Sequence, residues 1–238
     1  MSRTRRLARP GLAAAALALV LLAEPAAAQS ANRAAIDELN TQLLYVALPL
    51  TLFVELILVY GVYRFRNNDD PQPTVDDPAL EITWTAATAV ILVFVGVSGY
   101  FVLANPYITP AAGQPADTDM EIEVVAYQWG WEFQYPDGTV TRNRLVLPAR
   151  TDVRLVMESE DVIHSLYVPA LGLKQDIFPE AERVARTNAS VGEYELYCAE
   201  FCGAGHSRMH GTVSVVKPSV YDDRLAAAAA GNRTARAG

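Results

Sequence analysis

Two long apolar stretches, then a region of short alternating segments, divide this chain. Leu43 to Tyr63 is almost wholly apolar, broken by Pro49 and Glu55, and Thr83 to Ala104 is a second run of the same kind. Each suffices for one helix across a hydrocarbon core of about 30 Å. The polar segment between them, 64–80, holds Arg64 and Arg66, whereas 105–120 has no Lys or Arg. The positive-inside rule therefore predicts a two-helix hairpin over 43–104, with loop 64–80 in the cytoplasm and both outer ends outside. Glu55, without a second charge inside either run, reads as a hydrogen-bonded group at a helix contact with another subunit, although an intramembrane carboxylate is a functional candidate by default.

After a linker over 105–118 the periodicity changes. Met120 to Tyr135 mixes alternating and aromatic residues and ends at Pro136-Asp137-Gly138, a strong turn signal. Strand-like runs follow at 144–147, 153–158, 162–168, 183–188, 193–198 and 211–216. Short strands separated by turn residues predict an all-β sandwich or barrel over 119–217, long enough to bury its own core. The Ala-rich tail, 218–238, is given no role.

The first 28 residues read as an export signal. Arg3, Arg5, Arg6 and Arg9 make a basic start, Gly11 to Ala23 an apolar centre, and Ala26-Ala27-Ala28 a cleavage site before Gln29. A retained helix is the alternative, but the apolar run is short for a span. Segment 29–42 then lies outside, ahead of the hairpin. Cleavage would remove four Arg and one Glu from 19 basic and 27 acidic residues, taking the net charge from −8 to −11. An exported acidic protein is a poor nucleic-acid binder and a plausible dock for a basic partner.

Candidate chemistry is confined to one window. Both cysteines and all three histidines lie between His164 and His210, and Cys198, Cys202, His206 and Met209 follow one another as C-x3-C-x3-H-x2-M. Thiolate, imidazole and thioether form a soft set suited to copper. Two thiolates, unlike the single one of a blue-copper site, can bridge a pair of ions. A structural Cys2His2 zinc site is the competing fit, and a disulfide between Cys198 and Cys202 would leave His206 and Met209 unexplained. His210 reads as a surface residue. With no C-x-x-C-H, the chain carries no covalently attached haem.

The loop CAEFCGAGHSRM, the upstream DVIHSLYVPALGLKQD, the aromatic QWGWEFQY and the leading hairpin together resemble subunit II of the haem–copper cytochrome c oxidases, over nearly all of the mature chain. The resemblance implies a cupredoxin-like Greek-key domain with the binuclear, mixed-valence copper centre called CuA. Cys198 and Cys202 would bridge both coppers, His164 and Met209 complete one, and His206 and the backbone carbonyl of Glu200 the other. It further implies that electrons enter at Trp129 from cytochrome c, that Trp131 packs, and that Asp161 and Glu160 help the donor dock. The Glu200 side chain, with Asp176, would hold a magnesium ion at the contact with subunit I. Glu81 would mark the mouth of a proton channel leading into subunit I, or simply cap its helix. Gly130 stands where the family usually has an aromatic. The implied role is the electron-accepting subunit of a terminal respiratory oxidase in a bacterial inner membrane, with its outer domain in the periplasm. It would partner subunit I, which holds the haem and the oxygen site, and subunit III. A copper subunit of a nitric oxide reductase and a membrane-tethered metal-binding module are the alternatives.

Overall fold

The computed structural model describes residues 28–110 and 119–234; the expected export signal lies almost entirely outside them, as does most of the linker. Helix α1 spans Ala31–Phe65 and helix α2 spans Pro78–Leu103. Both are long and apolar enough to cross a membrane. Most of their apolar side chains face outward, as expected where lipid or a partner is the solvent. Helix α1 starts well before the apolar run that begins at Leu43. Pro49 sits inside it and withholds one backbone donor. Helix α2 has a well-made start: Pro78 needs no donor at the first position, and the Asp77 carboxylate accepts from Ala79 N and Leu80 N at 3.1 Å each.

The remainder is a sandwich of two five-stranded sheets. The first runs in the order β3 (Val140–Arg142), β2 (Gly130–Gln134), β1 (Met120–Tyr127), β5 (Val153–Ser159), β8 (Arg183–Thr187). The second runs β4 (Arg144–Pro148), β10 (His210–Val216), β9 (Gly192–Cys198), β6 (His164–Val168), β7 (Leu173–Ile177). Two pairs, β1 with β5 and β4 with β10, are parallel, which requires crossovers between the sheets. Alternation sets the faces. On β1, Ile122, Val124 and Ala126 point inward, with Glu121 and Glu123 outward; on β2, Trp131 and Phe133 are inward. With Leu145, Leu147, Leu155, Met157, Leu166, Ile177 and Leu196 they form one continuous core. Just beyond β2 the buried Tyr135 hydroxyl accepts from Val146 N at 2.7 Å, tying one sheet to the other. Burial pushes the Tyr135 phenol up to about 12.

Two strands escape the sequence pattern. The 120–135 segment is a hairpin folded at Gln128-Trp129, and β3 and β7 are edge strands with little alternation. The tail is helical: α3 spans Tyr221–Thr234 and buries Leu225 and Ala228 against the core, while Arg224 reaches Glu193 at 2.7 Å.

Candidate metal centre

Strand β6 opens with His164, fully buried, and strand β9 ends on Cys198. The loop from β9 to β10 carries Cys202 and His206, and Met209 immediately precedes β10. Register brings them together: Leu166 pairs with Cys198 across β6 and β9, and Cys198 N donates to Met209 O at 3.0 Å. The result is a compact set of soft donors. Cys198 Sγ lies 3.8 Å from Cys202 Sγ and 3.8 Å from His164 Nδ1. Cys202 Sγ lies 3.6 Å from His206 Nδ1 and 3.7 Å from Met209 Sδ. The Glu200 carbonyl is 3.1 Å from Cys198 Sγ. Both cysteines are free, and among the described residues His164, Cys198 and Cys202 are the His, Cys and acidic groups whose donor atoms converge within 4.8 Å.

The donor set fits a metal. Two sulfurs 3.8 Å apart match ligands sharing an ion at about 2.3 Å from each. Met209, His164 and both sulfurs are nearly inaccessible to water, so charge there has to be balanced locally. Burial opposes ionisation of Cys198, yet the His164 ring and backbone groups of Ser165 and Glu200 pull its thiol down to about 6. Burial and the adjacent Cys198 thiolate push Cys202 up to about 12. Ionising one sulfur thus opposes ionising its neighbour.

A second layer orients these ligands, and sequence reasoning missed most of it. The Asp161 carboxylate meets His164 Nε2 at 2.8 Å and accepts from Gln128 N at 2.7 Å and Val162 N at 2.6 Å. Burial alone would raise Asp161, but these donors hold it below the usual carboxylate range. The pairing leaves Nδ1 of His164 facing Cys198, as a ligating imidazole requires. The D-x-x-H spacing was the only clue in the chain. Gln128 Nε2 and Trp129 Nε1 both donate to the Cys202 carbonyl, at 2.7 and 3.1 Å. Trp129 is 40% exposed, so one indole edge meets solvent while its N–H meets the ligand loop. Trp131 is wholly buried and packs edge-on to the His164 ring, with centroids 6.3 Å apart. At Gly130, between them, a Cβ would lie 2.7 Å from the Tyr127 hydroxyl oxygen, so a side chain there requires the Tyr127 ring to move.

The other candidates lie outside this cluster. His210 is exposed and contacts Ser207 O at 3.0 Å. The Glu200 side chain is exposed, Asp176 on β7 pairs with Lys174 at 3.0 Å, and Glu160 is exposed. Glu81 occupies the first turn of α2, where a carboxylate suits the helix dipole.

Fold and site together define a membrane-anchored protein with a cupredoxin-like domain that gathers a buried set of soft donor atoms able to hold a metal. Family models agree: the transmembrane domain of cytochrome c oxidase subunit II matches residues 19–102, and its periplasmic domain matches residues 138–216. The probable cytochrome c oxidase subunit 2 of Rickettsia bellii is 32% identical over 209 residues, covering 77% of this chain and 76% of the relative. Cytochrome c oxidase subunit 2 of Synechocystis is 32% identical over 246 residues, covering 84% and 74%. The crystal structure of the periplasmic domain of subunit II from Bradyrhizobium japonicum covers 48% of this chain and 96% of its own, at 25% identity and a TM-score of 0.45. The chain belongs to the cytochrome c oxidase subunit II family, and its role is that of a subunit of an oxidase complex.

Proposed function

We propose that this chain receives electrons from cytochrome c at a binuclear CuA centre and passes them to the haem of subunit I, where the complex reduces dioxygen to water and drives protons outward. Cys198 and Cys202 would hold two copper ions between them, with His164 and Met209 on one and His206 and the Glu200 carbonyl on the other. What carries this is the pair of unbonded sulfurs 3.8 Å apart, flanked at 3.8 and 3.6 Å by one imidazole each. Bound there, the copper pair would supply a one-electron store whose coordination positions are all filled by protein.

The chain's own residues shape that store. Burial of His164, Cys198, Cys202 and Met209 keeps water off the ligands, and Asp161 fixes the His164 tautomer. Trp129 offers a bonded route from the surface to the ligand loop through its N–H on the Cys202 carbonyl, which supports it as the place where electrons arrive. Asp161 and Glu160 lie beside that turn and would add negative potential for a basic donor. On the same reading Glu200 and Asp176 supply oxygen donors for magnesium at the subunit I contact, Glu81 leads protons into subunit I, and subunit III completes the complex. The β domain would face the periplasm of a bacterial inner membrane, with loop 64–80 in the cytoplasm.

The deciding experiment loads the full chain with copper. Two coppers per chain and a seven-line electron-spin spectrum are expected, and Cys198→Ser or Cys202→Ser should each abolish that pattern. A single ion per chain, or a spectrum with four lines, would overturn the assignment.

A further inference from the structure

The outer ends of both membrane helices converge on one place in the β domain. Helix α1 extends from the apolar run at Leu43 back to Ala31, about 18 Å of additional helix. Its N-cap, Ser30, accepts from Arg33 N at 3.0 Å and donates its hydroxyl to Leu171 O at 2.5 Å. Ala31 N donates to Asn188 O at 3.0 Å and Ser190 N to Gln29 O at 2.8 Å, so Ser30 bridges Ala189 like a one-residue strand. Asn32, 1% exposed, donates from one amide nitrogen to Tyr107 O at 2.5 Å and Arg186 O at 2.8 Å. Tyr107 lies just past α2, and Arg186 is on β8. The Arg186 guanidinium lies 5.3 Å from the Tyr107 ring and pairs with Asp152. Gly172, at φ +62°, completes the seat: a Cβ there would meet Ile36 Cδ1 at 3.0 Å and Arg33 N at 3.2 Å.

We infer that Ser30–Asn32 is a clasp that fixes the metal-bearing domain at one orientation over the membrane hairpin, with Asn32 as its positioning residue. A single buried amide joins α1, the end of α2 and β8, so the domain cannot swivel without exposing or orphaning polar groups. Asp has the same shape as Asn but no N–H to offer two carbonyls. The consequence, a constant distance from the metal site to an electron acceptor in the membrane, rests on the copper reading; the clasp itself does not.

Nitroxides attached through ketone-bearing residues at Asn67 and Asp137 leave Cys198 and Cys202 untouched. In the full chain, in lipid nanodiscs, pulsed electron-spin distances should give one narrow peak. Asn32→Ala and Asn32→Asp should both lose that peak, while near-ultraviolet circular dichroism and thermal unfolding of the β domain stay as in the parent. A narrow peak retained in Asn32→Asp would overturn the clasp. So would loss of the peak only together with loss of the β-domain fold, since Asn32 would then be an ordinary folding contact. Neither readout needs copper, so failure of the clasp and failure of the copper centre are told apart.

Discussion

At Gly205 the Trp129 ring lies where a side chain would stand: an added Cβ would come within 2.2 Å of it. Gly205→Ala should therefore displace the indole, at a cost of roughly 1–3 kcal/mol, and break its hydrogen bond to the Cys202 carbonyl. Tryptophan fluorescence and thermal unfolding would read the two effects, and cytochrome c oxidation should slow while copper content holds. Five candidate ligand side chains stood out in the sequence because they include both cysteines and two of the three histidines. Asp161 and Gln128 did not stand out as partners of the site, since an acid or an amide in a loop has many roles and only the meeting of distant loops shows this one.

Among the elements, one tie between the sheets is the Tyr135 hydroxyl on Val146 N. Tyr135→Phe removes one oxygen and leaves a buried N–H without its acceptor, which should cost roughly 1–3 kcal/mol in chemical denaturation. Helix α3 also contributes: Leu225→Ala should lower stability by roughly 2–3 kcal/mol, an outcome that an idle tail would not give. The hairpin was legible because its apolar runs exceed what any buried helix of a small domain needs. Most strands were legible from alternation. Strand β7, reading Leu-Lys-Gln-Asp-Ile, was not, because an edge strand paired on one side alone has no need to hide its middle residues. Strand β3 is too short to show any period, and the extension of α1 to Ala31 was invisible because polar helix on a domain surface has no apolar signature.

For the molecule as a whole, charge and anchoring act together. With a formal charge of −8, the chain should draw a basic donor by long-range attraction. Turnover with such a donor should fall as salt rises from about 0.01 to 0.15 M, where the screening length shrinks from about 30 to 8 Å. A rate indifferent to salt would remove electrostatic docking. The sandwich has a further consequence. His164, both cysteines, His206 and Met209 hang from one sheet, while the Gln128-Trp129 turn hangs from the other and touches their loop through one hydrogen bond from each of its two residues to the Cys202 carbonyl. On the copper reading, sliding one sheet past the other would leave the ions seated and sever the lead that feeds them, so storage and wiring would fail separately.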